Sequence, residues 1–481
     1  MYREKDKSQL TFENFHLPFG GRLDKENRWI KLSQIIPWDK IETMYAGKFS
    51  STQGAPAKPL RMALGALIIK ERCGFTDEET VEQIKENPYL QYFIGQEEYS
   101  NAAPFDASMM VHFRKRLDSE TMKEINELIA TGKIREATKK DDDRDDFGPG
   151  TPKKGKLIVD ASCMPSDIRY PNDMSLLDEA RTRTEKIIDE LCKAQGIKKP
   201  RTYRQNARKH FIRFIHEKKP NGKKVRKAIG KQLRYIHRNL KNIGEMSDFY
   251  EVLNNGLYRD LLVIHELYRQ QKEMYDAKKH RVESRIVSIA QPHVRPIVRG
   301  KAGAPVEFGA KVEVSLIDGY TFIDYLSWEN FNESQCLKGQ VEDYYKRFGC
   351  LPESIHADKI YRNRENRNYC KGLNIRLSGP ALGRPAELTK EEKRQMREDN
   401  SVRNSVEGKF GQGKRRFGLS RIMAKLQETS ETVIWINIIV MNLERRLAVF
   451  LYYFVHRIRR FIISVKQHYR VSMTSMLAVG C

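Results

Sequence analysis

Residues 138–155, TKKDDDRDDFGPGTPKKG, combine dense charge of both signs with Gly-Pro-Gly. Such a stretch buries too little apolar surface to offset the entropy of ordering it, so it reads as a linker. It divides the chain into two parts with different hydrophobic periods. Ahead of it, apolar residues recur at helical spacing. Immediately after it, Lys156-Leu157-Ile158-Val159-Asp160 is a short apolar run ending in an acid, the pattern of a buried strand with a functional C-terminal end. At 481 residues the chain also exceeds what one core usually organises, so two or three domains are expected.

In the front part, Leu60, Ala63, Leu64, Leu67 and Ile68 share one helical face, ending near Gly74. Thr76 and Glu79 have capping-box spacing and open a second helix with Val81 and Ile84, stopped by Pro88. A third helix follows Pro104 and Asp106. Its Met110, Phe113 and Leu117 face inward, leaving Arg114, Lys115 and Arg116 available to a DNA backbone. Residues 56–137 are thus expected to form an all-α domain behind an N-terminal arm, 1–55. The local pattern suits a helix-turn-helix-like DNA reader and a plain helical scaffold equally.

Beyond the linker, about 175–290 is helical and basic. Ile229, Leu233, Ile236, Leu240 and Ile243 mark an inner face, with Lys231, Arg234, Arg238 and Lys241 on others. Between Lys198 and Lys241, Glu217 is the lone carboxylate. Self-repulsion on this scale calls for counterions, which favours a phosphate-tracking surface that includes Arg234 and Arg238 over a merely solvated one. The formal net charge of +24 points the same way, to a polyanion, with nucleic acid ahead of a membrane surface. The longest apolar stretch, Val433 to Val455, is interrupted by Asn437, Asn442 and Glu444-Arg445-Arg446, so it reads as a buried helix and not a membrane span. The seven cysteines show no C-x-x-C spacing, which excludes a zinc ribbon. With no signal-peptide pattern at the N-terminus, a reducing cytoplasm is expected.

Strands resume with Lys311–Ile317, a hairpin turn at Asp318-Gly319, and Tyr320–Trp328. A helix with Val341, Tyr344, Tyr345 and Phe348 closes at Gly349. Ser354-Ile355-His356-Ala357-Asp358 is another short strand ending in an acid, and 373–377 a further strand. The fold class is therefore α/β: a mixed sheet layered with helices over 156–430, carrying a large basic helical insertion, followed by a C-terminal helical segment, 431–481.

Asp160 and Asp358 end apolar strands, where α/β folds place their sites, and Glu407 lies in the following polar helix. Carboxylates converging from separate elements can hold hard divalent cations that act on a phosphodiester. Arg403, Glu407 and Lys414 are spaced by 4 and 7 residues. At about 100° per residue they fall within about 40° of one helical face, a cation on either side of an acid. Gly408, Gly411 and Gly413 are expected to weaken that helix and to set Lys414 beyond a break. Around these acids, His356 reads as a core or supporting histidine, Trp328 as core in preference to base stacking, Asp318 as a turn residue and Asp324 as an ordinary strand acid. Arg295–Lys301 fits a phosphate-contacting loop or a solvated one.

The run Arg403-Asn-Ser-Val-Glu407-Gly-Lys-Phe-Gly-Gln-Gly-Lys414 resembles the Y-R-E-K signature of bacterial insertion-sequence DDE transposases. VDAS at 159–162 and HADKIY at 356–361 resemble that family's two aspartate strands, and 60–117 its N-terminal DNA-end-binding domain. Asn400 stands where the signature has tyrosine. The resemblance implies a ribonuclease H-like core in which Asp160, Asp358 and Glu407 bind catalytic Mg2+, with Mn2+ as a substitute. It further implies Arg403, Lys414 and Lys359 on DNA phosphates, double-stranded DNA as partner at element ends and target, and a homodimer or larger synaptic assembly. The competing functions are a metal-dependent nuclease that does not join ends and a non-catalytic DNA-binding descendant.

Overall fold

The computed structural model describes residues 11–46, 57–132, 147–246, 249–301, 304–379 and 389–478, with the backbone alone for 453–478. Residues 138–146 of the expected linker, and 1–10 and 47–55 of the expected arm, lie outside the described residues.

Among the described residues the front body contains α1 (Arg28–Ile35), α2 (Trp38–Ala46), α3 (Leu60–Cys73), α4 (Asp77–Glu86), α5 (Pro88–Phe93), α6 (Met109–Arg116) and α7 (Ser119–Thr131). Their ends follow local chemistry. Gly74 stops α3 in the left-handed region at φ 74°, and the Thr76 hydroxyl caps α4 by accepting from Glu79 N. Residues 28–46 are not a separate arm. Trp29, Leu32, Trp38 and Ile41 share a core with Leu64, Leu67 and Phe93. Arg61 is buried among them and donates to the carbonyls of Phe93 and Tyr92 and to Ser33 Oγ, under the rings of Trp38 and Tyr92.

The sheet contains β1 (Lys156–Pro165), β2 (Arg295–Lys301), β3 (Ala304–Ile317), β4 (Tyr320–Ser327), β5 (Ser354–His356) and β6 (Arg376–Leu377). β1 is central, antiparallel to β3 on one side and parallel to β5, then β6, on the other. β2 and β4 follow one another along the far edge of β3. Asp318 and Gly319, at φ 51° and 84°, make the expected hairpin turn. Two expectations are corrected. β1 continues five residues past Asp160, because β3 supplies a partner as far as Pro165↔Gly309. Arg295–Lys301 is an edge strand paired to β3 and not a loop.

Between β1 and β2 the chain leaves the sheet for α8 (Asp173–Gln195), α9 (Arg204–Ile215), α10 (Gly222–Gly244), α11 (Phe249–Val252) and α12 (Asn255–Asp276). These helices have a core of their own, with Leu177, Ile188, Leu233, Ile236 and Ile264. Next come α13 (Leu337–Phe348), α14 (Arg364–Gly372), α15 (Lys390–Arg416) and α16 (Gln427–Ala478).

α16 is continuously buried from Val433 to Leu443; beyond that Leu447 is buried but Phe450 and Tyr452 are exposed, so among the described side chains the apolar stretch is fully interior through its first half and emerges to the surface in its second. The first half packs in the core shared by α3, α7 and the sheet. Asn442 fixes it there. Its Nδ2 donates to Asn126 Oδ1 and Thr321 O, and its Oδ1 accepts from Thr321 N. Among the described residues no helix is long and apolar enough to cross a membrane, and the described cysteines are free thiols.

Candidate active site

The parallel ladder between β1 and β5 ends at the pair Ile158↔His356. Asp160 and Asp358 each lie two residues further along, so they sit at matching levels where the two strands part. Asp160 is mid-strand through its pairing with β3, while its β5 side opens onto a cleft of about 1270 Å³. One carboxylate oxygen accepts from Ala161 N at 2.9 Å. Burial pushes the Asp160 carboxyl up to about 6; the Ala161 hydrogen bond opposes this, and the Glu333 and Asp358 carboxylates add to it. Asp358 is exposed and caps a 3-10 turn, Lys359–Tyr361, accepting from Lys359 N at 2.7 Å.

α15 crosses this opening and brings Glu407, Arg403 and Lys414 to the same cleft. Arg403 Nη1 lies 3.3 Å from Glu407 Oε1 and 4.0 Å from Asp358 Oδ1, a guanidinium between two acids. The helix starts with a capping box, Thr389 and Glu392. It is anchored by buried Val406 and Phe410 and by Asp399, which takes two hydrogen bonds from Arg376 of β6 at 2.7 and 2.9 Å. The expected break after Glu407 is absent, and the helix continues to Arg416. One of its glycines serves packing: a Cβ at Gly413 would come within 2.7 Å of Leu419 Cδ1 and 3.1 Å of Met441 Sδ on α16. Asn400 is exposed on this helix. Among the described residues no group of three or more His, Cys, Asp or Glu side chains is close enough to hold a metal ion.

His356 is buried, 3.7 Å from Asp399 and hydrogen bonded to Ser354 Oγ at 3.0 Å. Its pKa is lowered first by burial, so it supports the strand from inside. Trp328 is buried, with Nε1 on Glu431 Oε1 at 2.9 Å. Lys115 and Arg116 are exposed on α6, but Arg114 turns inward and forms a two-pronged pair with Asp77 at 2.9 and 2.6 Å, which removes it from the exposed face on which it was expected. Arg234 is exposed on α10; Arg238 is half-buried, 4.6 Å from the ring of Tyr203. Lys359 is exposed beside Asp358.

Glu333, unmarked in the sequence, enters the cleft from the 3-10 turn before α13 and pairs with buried Lys311 at 2.8 Å. It sits in the aperiodic run Glu329-Asn-Phe-Asn-Glu333, which gave no signal. Asp324, read as an ordinary strand acid, is instead buried on the opposite face of β4, where Ser315 Oγ donates to it at 2.6 Å.

Residues 355–444, which contain Asp358 and Glu407, match the family model described as a transposase DDE domain. Residues 18–116 match a transposase domain, DUF772. Over 184 residues the chain is 27% identical to the uncharacterized protein ORF8 in the nfe locus of Rhizobium meliloti, a match covering 38% of this chain and 82% of that protein. No solved structure matches. Two separate stretches of the chain thus match transposase domains, one of them a DDE domain, and in these stretches the chain is similar to the DDE transposases of bacterial insertion sequences.

Proposed function

We propose that the chain binds the ends of an insertion sequence, cleaves phosphodiester bonds there and transfers the resulting 3′-hydroxyls into target DNA, with Asp160, Asp358 and Glu407 as its catalytic carboxylates. The observation that carries this reading is the meeting of two aspartates, level with each other just past the β1–β5 ladder, with Glu407 of α15 in one cleft. A central β1 with an antiparallel pair on one side and parallel strands on the other supports a ribonuclease H-like core.

The donor chemistry fits a hard divalent cation. The three side chains offer only carboxylate oxygens, Asp160 carries negative charge that neighbouring carboxylates aggravate, and the Arg403 guanidinium now offsets the other two acids. Asp160, Asp358 and Glu407 would hold Mg2+, or Mn2+ in its place. Bound there, a pair of such ions supplies activation of the attacking oxygen and stabilisation of the leaving one. Arg403 is placed to exchange its carboxylates for a DNA phosphate, in the fork geometry guanidinium favours. Lys414 on the same helix and Lys359 beside Asp358 extend that grip. Lys115 and Arg116 on α6, and Arg234 and Arg238 on α10, would follow the duplex backbone further out. Acting on paired ends calls for a dimer or larger assembly.

The test uses duplexes taken from the genomic DNA on either side of the reading frame, where the proposal expects short inverted repeats. Asp160→Ala, Asp358→Ala and Glu407→Ala should each abolish Mg2+-dependent cleavage and the joining of pre-cleaved ends while DNA binding persists. Parental cleavage by any one of them removes that residue from the site, and cleavage without joining identifies a nuclease instead.

A further inference from the structure

Behind the cleft, on the sheet face covered by α13, lies a polar network that the proposed chemistry does not use. Glu313 of β3 is fully buried, and its Oε1 accepts from Tyr361 Oη at 2.6 Å and from Gln340 Nε2 at 3.0 Å. Gln340 Nε2 also reaches Asp324 Oδ2 at 2.8 Å. Glu313 Oε2 has no hydrogen-bond partner, and among the described residues no cation pairs with this carboxyl. A buried carboxyl with an orphan oxygen and no counterion destabilises a fold, and an apolar pair of similar volume would pack there without that cost.

Stability therefore does not account for Glu313, whereas its position does. Glu313 pairs in register with Ala161, the neighbour of Asp160. Tyr361 closes the turn that Asp358 begins, its N–H donating to Asp358 O at 3.1 Å. Asn366 Nδ2 holds the Tyr361 carbonyl at 2.9 Å, and the ring is fully buried. The link from Tyr361 to Glu313 thus braces the Asp358 turn against the strand beside Asp160, at the level where the β1–β5 ladder has stopped.

We propose that Tyr361 and Glu313 are positioning residues that fix the separation of Asp160 and Asp358 through their buried hydrogen bond; this rests on the carboxylate-triad reading. Burial pushes the Glu313 carboxyl up to about 9, so it serves as a neutral acceptor and adds no further negative charge behind the site.

The full chain tests this by urea unfolding, DNA affinity, single-turnover cleavage at saturating DNA and Mg2+, and Mn2+ binding followed by electron paramagnetic resonance. Combining Glu313→Met with Tyr361→Phe replaces the brace by apolar groups. We expect an unfolding midpoint at or above the parent's, unchanged DNA affinity, and losses of about tenfold or more in both cleavage rate and Mn2+ affinity. Glu313→Gln keeps an acceptor for Tyr361 Oη and should cleave within about threefold of the parent. Parental cleavage and Mn2+ binding by the double variant overturn the proposal, as does a Glu313→Gln protein as impaired as the double. If the double variant does not fold, Tyr361→Phe alone carries the same expectation, and its parental rate overturns it. A parent protein whose cleavage and Mn2+ binding are indifferent to Asp358→Ala overturns the triad reading, and this inference with it.

Discussion

Asp160, Asp358 and Glu407 differ in burial, and the difference follows from what carries each. Asp160 is held in the central strand by its pairing with β3, and burial and nearby carboxylates raise its pKa, whereas Asp358 and Glu407 are exposed and share Arg403. Glu313 is the more extreme case, raised to about 9 first by burial and further by Asp324 and Glu333, against the hydrogen bond from Tyr361. Between a carboxyl's ordinary value and about 9, the folded chain holds a proton at Glu313 that the unfolded chain has lost. Folding stability should therefore fall as pH rises through that window. Glu313→Gln should flatten this slope in urea midpoints taken between about pH 5 and about pH 8. An unchanged slope in the variant would assign the pH dependence to other groups. At this scale Glu407 was readable because a helix repeats with a fixed angle, so Arg403 and Lys414 fall on its face. Glu313 and Tyr361, 48 positions apart, had no such signature.

Elements succeed or fail by what their neighbours supply. α6 was expected to show Arg114 outward; instead, the start of α4 offers Asp77. Burial pushes the Asp77 carboxyl up, but Arg114, with Lys70, outweighs it and leaves the pKa below its usual value. Arg114→Ala strands a partly buried acid and should cost about 3 kcal/mol in chemical denaturation. The affinity of the folded variant for DNA should match the parent's; a selective loss of DNA binding at parental stability would return Arg114 to the interface. α15 poses the converse case. Its glycines weaken an isolated helix, yet at Gly413 close approach of Leu419 and Met441 leaves no room for a Cβ. Gly413→Ala should destabilise by about 1–3 kcal/mol through overpacking. Gly408→Ala, where a Cβ meets nothing within 4 Å, should stabilise by about 0.5–1 kcal/mol. Equal effects at the two positions would refute this account of the glycines.

Across the whole molecule, one core joins the front helices, one sheet face and the buried half of α16, while the basic insertion keeps a core of its own. The DDE match spans 355–444 and so includes that half of α16, which packs on the front body matched as a transposase domain. The net charge of +24 should act through the exposed cations of the front helices and of the insertion. Lys115→Ala with Arg116→Ala, and Arg234→Ala with Arg238→Ala, should each reduce the slope of log K against log salt by about 2 for duplex DNA. A slope unchanged by the second pair would leave the insertion's basic face as solvated surface.

Sequence alone determined the features that depend on local order: helix starts and stops at Thr76 and Gly74, the Asp318-Gly319 turn, the basic insertion, and the cation-flanked Glu407. It also marked Asp160 and Asp358, since a short apolar run ending in an acid is a local pattern. Only the tertiary structure decided that β1 runs on past Asp160, that Arg114 faces Asp77, that α15 continues through its glycines, and that Glu333 enters the cleft. Each depends on a partner far away in the chain, and pairing, burial and close approach are properties of two segments together, which periodicity within one segment does not encode.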